Sequence, residues 1–287
     1  MSYLLALASA VLYGAGDFTG GLAARRAGTL PVVVVSQLSG LVLVVLLLPF
    51  LPAAEPSRAD LLWGAVAGLT GGVGVALLYR ALAIGRMAVV APTTAVCAVV
   101  VPVLASYAMG ERIGAVPALG IALGIGAIVL VSQQSAEPHG EVRSDADGRL
   151  PRGVGIALIS GVAIGFFFLS LAQTRPEAGM WPIVASRTVS VLLFSLGAVA
   201  SRQSIRMPGT LALTVLCGIV DMSANALYLL AVQAGPLSVM VTLSSLYPAS
   251  TVLLARVLLG EQLNTRQVTG VVCALAAIVL IVSGGPH

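Results

Sequence analysis

The sequence predicts an all-α, polytopic membrane protein with ten transmembrane helices, arranged as two inverted five-helix repeats. The first observation is composition: 58% of the 287 residues are hydrophobic and only 9% are charged, whereas roughly a quarter of the residues of a soluble domain are charged. The second is that the apolar residues form long continuous runs, unlike the short alternating segments of a membrane barrel. The third is that short sequences of the first half recur in the second.

Ten apolar runs are long enough to cross a bilayer, which takes about 20 residues in a helix. They are residues 3–23, 31–51, 61–82, 88–109, 114–132, 153–172, 182–200, 210–231, 237–259 and 265–282. Most connections are too short to form a domain. The exception is the polar, glycine-containing segment 133–152, which is typical of a solvated linker. The predicted organisation is therefore a first repeat over 1–132, a linker over 133–152 and a second repeat over 153–287.

The repeat rests on matches at one constant offset. Gly110-Glu111 recurs as Gly260-Glu261, and the sequence Ala-Ile-Val-Leu at 127–130 recurs at 277–280, both 150 residues later. Five helices are an odd number, so the second half must enter the membrane from the opposite side. That arrangement is common among secondary transporters, which bind substrate near the midplane between the repeats.

The composition excludes several classes of function. Lysine is absent, which excludes a Walker A loop and a Schiff-base lysine. The net charge of +4 is dispersed, so nucleic-acid binding has no basic patch to use. Cys97, Cys217 and Cys273 are isolated in apolar runs and are interpreted as core residues. His139 and His287 lie outside the spans, which excludes a histidine metal site or nucleophile within the membrane. We expect neither an enzyme nor a cofactor.

Three ionisable residues lie inside predicted spans, where each charge costs about 2.5–3.5 kcal/mol on insertion scales. Asp17 lies about 6 Å from the midplane and Arg187 about 7 Å, taking 1.5 Å rise per residue. Asp221 lies near the middle of its span. Asp221 is either a proton-coupling carboxylate or the static partner of Arg187. Asp17 has no basic partner at its depth, so it is the first choice for proton coupling, with a hydrogen bond to glycine-rich backbone as the alternative.

Polar residues at similar depth are candidates for substrate binding. Asn225 and Tyr228 share a helix face with Asp221, because they follow it by four and seven positions. The full set of substrate-binding candidates is Arg187, Asn225, Tyr228, Gln37, Thr93, Ser245 and Tyr247. For any single one, an interhelical hydrogen bond of about 0.6 kcal/mol is the alternative. Tyr79 could stack on a planar substrate, but it is equally expected as an anchor at the membrane interface.

Small residues spaced four apart are expected to let helices approach closely. The pairs are Gly64 and Gly68, Gly120 and Gly124, and Gly161 and Gly165. Glu111 and Glu261 follow apolar runs and are expected to mark helix boundaries or to form interfacial ion pairs, with Arg256 as a partner for Glu261.

Three segments carry a resemblance to a known family. They are the run Tyr-Gly-Ala-Gly-Asp-Phe at 13–18, the stretch Ser-Ser-Leu-Tyr-Pro at 244–248 leading to Gly260-Glu261, and the run from Asp221 to Tyr228. These resemble the EamA-type proteins of the drug/metabolite transporter superfamily. The resemblance covers nearly the whole chain, and it implies that helices one, three, four, six, eight and nine surround a central cavity.

The resemblance also implies a topology and a location. By this resemblance, both termini lie in the cytoplasm. The membrane is expected to be the inner membrane of a bacterium. The arginines indicate the reverse, since the loops on the side of the termini carry three and the opposite side carries ten, which by the positive-inside rule places the termini outside.

The leading hypothesis is a secondary active transporter, exporting or exchanging a small metabolite or amphipathic drug by alternating access, with proton coupling as an option. Its partners are the lipid bilayer and a small-molecule substrate, and the sequence leaves a homodimer open. The alternatives are a flippase for a lipid-linked substrate and an intramembrane enzyme that uses carboxylates alone. A channel is disfavoured, because no potassium-type filter sequence is present.

Overall fold

The computed structural model is all-helical and describes residues 2–108, 114–132, 152–171, 173–234, 243–244 and 246–283. These residues form ten α-helices, in agreement with the predicted fold class. They are α1 Ser2–Ala27, α2 Thr29–Leu47, α3 Arg58–Ile84, α4 Met87–Ala108, α5 Ala115–Ser132, α6 Val154–Leu171, α7 Trp181–Ala200, α8 Leu211–Ala234, α9 Tyr247–Leu259 and α10 Thr265–Ser283. Residues 133–151 of the predicted linker lie outside the described part of the chain.

The surface of the helix bundle is that of a protein embedded in a lipid bilayer. Five helices, Thr29–Phe50, Arg58–Ile84, Val154–Leu171, Trp181–Ala200 and Leu211–Ala231, are each long and apolar enough to cross a membrane. Large apolar side chains such as Leu46, Leu196 and Val257 point outward, while Gln37 and Asn225 are buried inside. Because lipid is the apolar solvent, this distribution identifies an integral membrane protein.

The helix contacts repeat when five is added to each helix number. The contact of α1 with α8 corresponds to that of α6 with α3, and the contact of α2 with α8 corresponds to that of α7 with α3. The contact of α1 with α9 likewise corresponds to that of α6 with α4. Three pairs of equivalent helices, α2–α7, α4–α9 and α5–α10, also pack on each other, which places them beside the two-fold axis that relates the halves. The packing is therefore that of two related halves.

Two glycine contacts show the same symmetry at atomic scale. A Cβ added to Gly68 would lie 2.3 Å from the carbonyl oxygen of Ser186, and one added to Gly218 would lie 2.1 Å from that of Ser36. Both glycines and both serines are related by the offset of 150 residues. Here only glycine lets the two backbones approach, as expected for small residues at membrane helix crossings.

Gly218→Ala is therefore expected to lower the stability of the protein in detergent by about 1–3 kcal/mol, the usual cost of overpacking. The matched control is Gly197→Ala on α7, where an added Cβ would meet nothing within 4 Å. Thermal unfolding of the two variants beside the parent protein checks this. Equal melting temperatures for the two variants would show that the α2–α8 crossing tolerates a methyl group.

The described part of the predicted ninth span, 237–259, consists of the helical residues 243–244 and the helix α9 from Tyr247, which has Pro248 in its first turn. Residues 237–242 and 245 lie outside the described part of the chain. Proline lacks the backbone N–H that would continue a helix backward, so this position favours a helix start. At 13 residues, or about 20 Å, α9 is too short to span a bilayer by itself.

Candidate functional site

A network of charged and polar side chains joins α2, α7 and α8 in the interior. The guanidinium of Arg187 forms an ion pair with Asp221 and donates a second hydrogen bond to the side-chain oxygen of Gln37. The side chains of Arg187 and Asp221 are 11% and 17% exposed. The pairing proposed from depth is therefore present, and Asp221 neutralises Arg187.

Gln37 and Arg187 occupy equivalent positions of the two repeats, since they are separated by 150 residues. They meet because α2 and α7 pack against each other across the symmetry axis. Both helices lie outside the six that the family resemblance placed around the cavity. Both nevertheless contribute a side chain that was a substrate-binding candidate, Gln37 from α2 and Arg187 from α7, to the polar interior.

Asp17 lies beside this network without joining it. A Cβ at the neighbouring Gly16 would lie 3.5 Å from the Cβ of Asp221, so α1 rests directly on α8 at this level. Asp17 is enclosed by the helices, and the negative charge of Asp221 acts on it. By surface area, however, Asp17 is only half-buried. Within the described residues it has neither a hydrogen bond nor an ion pair. Asp17 is therefore a carboxyl group that is enclosed by helices and has no partner among the described residues.

Three tyrosines lie near Asp17 and the ion pair. The rings of Tyr13 on α1 and Tyr247 on α9 have centroids 6.1 Å apart and are tilted by 59°. Tyr13 also interacts electrostatically with Asp17, with Tyr228 and with the Arg187–Asp221 pair. Like Asp17, the three tyrosines are enclosed by the helices but only half-buried by surface area. The central cluster, as we name it, consists of Tyr13, Asp17, Gln37, Arg187, Asp221, Tyr228 and Tyr247.

Tyr79 and Cys217 close the cluster on one side; Tyr79 was predicted either to stack on a substrate or to anchor at the interface, and Cys217 was interpreted only as a core residue. Tyr79 is only 2% exposed, and its hydroxyl lies 3.1 Å from the Cys217 sulfur. The Cys217 thiol in turn donates to the backbone carbonyl of Gly16. The ring of Tyr79 lies across Gly20 of α1, where an added Cβ would lie 2.4 Å from its Cζ atom. The expectation of an interface anchor is therefore wrong for Tyr79.

The other candidates lie outside the central cluster. The Asn225 amide donates to the backbone carbonyl of Asp221 at 2.8 Å, which orders α8 beside the ion pair. Thr93 is buried, and its hydroxyl donates to the carbonyl of Val89 in its own helix. Ser245 lies outside the described residues.

The location that corresponds to Asp17 and Asp221 by the repeat offset is apolar. The positions equivalent to Asp17 and Asp221 are Phe167 and Gly71. The Phe167 ring covers Gly71, where an added Cβ would lie 2.6 Å from Cδ2 of Phe167. The charged groups therefore occupy one of two related locations, and a phenyl ring fills the other.

The second copy of the Gly-Glu motif, Gly260-Glu261, ends one helix and caps the start of another, while Gly110 and Glu111 lie outside the described residues. We call the side of the membrane where α1 begins proximal and the side where α1 ends distal. Gly260 ends α9 on the distal side with φ +65°, a left-handed conformation that favours glycine. Glu261 then accepts hydrogen bonds from the backbone N–H groups of Met87 and Ala88 at 3.1 and 3.0 Å. A carboxylate satisfies these free donors at the start of α4.

Arg25 completes this distal cluster. It approaches Glu261 at 3.5 Å and donates to the carbonyls of Leu82 and Gly85 at 3.1 and 2.9 Å. The cluster thereby ties together the distal ends of α1, α3 and α9 and the start of α4. Arg25, and not the expected Arg256, is the ionic partner of Glu261.

The arginine equivalent to Arg25 has a different environment. Arg175, 150 residues later, lies on the proximal side. Its backbone N–H and guanidinium bind Asp60 at 2.9 and 3.0 Å, and Asp60 belongs to the capping box at the start of α3. The two equivalent arginines therefore join different sets of helices.

Comparisons with known proteins agree with this architecture. The model of the EamA-like transporter family matches residues 1–133 and 151–283. No curated protein matches the chain. Among solved structures, one crystal structure of a protein aligns over 97% of this chain and 95% of its own, with a TM-score of 0.60 and 16% sequence identity, which shows a shared fold. The chain therefore belongs to the EamA-like transporter family, and it is a polytopic membrane transporter of the drug/metabolite type.

Proposed function

We propose that this protein is a secondary active transporter that carries a small metabolite or amphipathic drug by alternating access, with Asp17 as the proton carrier. The central cluster is the substrate site, and the distal cluster is the gate that is closed in the described conformation. The transporter exports or exchanges its substrate across a bacterial inner membrane. The repeat boundaries at 1–132 and 153–287 belong to the same proposal.

The proposal is supported by a difference between the two repeats in the packing of two equivalent pairs of helices, α1 with α3 and α6 with α8. Helices α1 and α3 pack together at their distal ends, where Gly21 faces Leu82 and Arg25 binds the end of α3. The equivalent helices α6 and α8 make no comparable contact within their described residues. Two related halves with unequal gates support a cavity that is sealed distally and open proximally. Exchange of the two arrangements would reverse the access.

The contrast between the two aspartates supports the choice of Asp17. Asp221 is held by Arg187, so protonating it would break an ion pair and leave Arg187 without its counter-charge. Asp17 has no such partner within the described helices, so it can gain or lose a proton without breaking a contact. A carboxyl group in a weakly hydrated cavity is suited to proton exchange near neutral pH.

Proteoliposomes that enclose a pH-sensitive dye provide the test. After a pH gradient is imposed, amino acids, nucleosides, sugars and amphipathic amines are added in turn. We expect a transported compound to dissipate the gradient through the parent protein but not through Asp17→Asn. The matched control is Glu177→Gln, which removes an exposed carboxylate in the proximal loop and should behave like the parent.

Full proton movement through Asp17→Asn would overturn the coupling role. A complete lack of proton movement with every compound would overturn proton coupling altogether. Movement of lipid-linked species alone would favour the flippase.

A further inference from the structure

We infer that the substrate is an organic cation, which binds Asp17 by displacing its proton. This inference rests on the proposed function and adds the chemical class of the substrate. The observation behind it is the charge balance of the central cluster.

The fixed charges of the central cluster do not cancel. Arg187 carries the positive charge, and both ends of its guanidinium are occupied, one by Asp221 and the other by Gln37. Asp221 is thereby neutralised, whereas Asp17 has no counter-charge within the described residues. With Asp17 ionised, the cluster has a net charge of −1; with Asp17 protonated it is neutral. The missing group is therefore one positive charge.

Among the residues that the structure describes, no group packed around Asp17 can supply that charge. Its electrostatic neighbours are Tyr13 on α1, Tyr79 on α3, Cys217 and Asp221 on α8, and Tyr247 on α9. Three of these are tyrosines, whose rings attract cations through their faces. An anionic substrate would meet two carboxyl groups and an arginine that is already engaged.

The same surroundings favour an organic cation over a metal ion. Hard cations require about six oxygen ligands, and no group of three His, Cys, Asp or Glu side chains that could hold a metal exists among the described residues. The tyrosine pair Tyr13 and Tyr247 instead offers apolar ring surface next to a single carboxyl group. An ammonium group attached to an apolar or aromatic body matches both features.

The exchange of a proton for a cation at Asp17 requires no further reactant. Protonated Asp17 releases its proton to the water of the cavity, and the carboxylate then accepts the positive charge of the substrate. One proton leaves for each monovalent cation bound, because the same oxygen atoms serve both. Proton and substrate therefore exclude one another, as exchange of the two in opposite directions requires.

Matched probes of one skeleton test the charge directly. Phenethylamine, 2-phenylethanol and phenylacetate share a phenyl body and carry a cationic, a neutral and an anionic end group, and the corresponding indole and octyl sets vary the body. Binding to the purified protein is measured by calorimetry at two pH values, in buffers of different ionisation enthalpy. We expect only the amines to bind, more tightly at higher pH, with release of about one proton per amine.

The variants separate this inference from the proposed function. Asp17→Asn should weaken amine binding at least about tenfold, since it removes a charge-assisted contact, and should abolish proton release. Glu177→Gln should match the parent. Binding of an alcohol or a carboxylate in place of the amine would overturn the cation inference, as would failure of every amine to bind. If such a neutral or anionic compound still moves protons through Asp17, the proposed function stands while the inference fails.

Discussion

Asp221→Asn and Arg187→Gln are each expected to destabilise the protein strongly, while the double variant recovers most of the loss. Removing one partner of a buried ion pair leaves the other charge uncompensated, at a cost of about 3–5 kcal/mol. In the double variant no charge remains, and the introduced glutamine side chain would face Gln37 as a neutral amide pair. Thermal unfolding in detergent and the yield of monodisperse protein measure the effect.

The double variant also decides between the two interpretations of Asp221. If the ion pair only holds α7 and α8 together, the recovered double variant should transport like the parent. If Asp221 carries protons, the double variant should fold but fail to dissipate a pH gradient. Equal loss of folded protein in the double and the single variants would contradict the argument from charge compensation.

If the distal cluster acts as the gate that we propose, Glu261→Gln is expected to open it. The substitution weakens the ionic contact with Arg25 and the cap on α4, and interactions with charged groups contribute about 1.5–3 kcal/mol. A loss of that size shifts a two-state equilibrium toward the distally open form about tenfold or more. The native thiol of Cys217, buried behind Tyr79, should then react correspondingly faster with a thiol reagent.

The measurement uses a background in which Cys97 and Cys273 are replaced by alanine, so that Cys217 is the one thiol left. A membrane-impermeant reagent is applied to the distal face of oriented vesicles. Glu177→Gln removes a carboxylate from the opposite face and should leave the rate unchanged. An unchanged rate in Glu261→Gln would show that Arg25 and Glu261 do not hold the gate.

The depth of each charged residue along its own span predicted one contact and missed another. It placed Arg187 within reach of Asp221, and the two are paired. It gave no indication that Asp17 lies close to Asp221, yet α1 rests on α8 through Gly16 beside Asp17. Depth in an untilted helix ignores the crossing of helices, and that crossing depends on packing that no single span contains.

The repeat offset of 150 residues carries information about contacts between helices as well as about recurring motifs. It identified Gly260-Glu261 as a motif at a helix end, which the structure explains by a left-handed glycine and a capping carboxylate. The same offset relates Gln37 to Arg187, so inverted symmetry could have brought α2 and α7 face to face. No sequence signal marked Arg25 as the partner of Glu261, because that contact depends on how three helix ends converge.

The meeting of Gln37 with Arg187 bears on how this chain could have arisen. A symmetric dimer of identical five-helix chains would place one and the same residue on both sides of its axis. Two arginines there would face each other with like charges in the membrane, and two glutamines would leave Asp221 without a counter-charge. Arginine on one side and glutamine on the other require two halves of different sequence. The internal ion pair therefore arose after the two halves had diverged from each other.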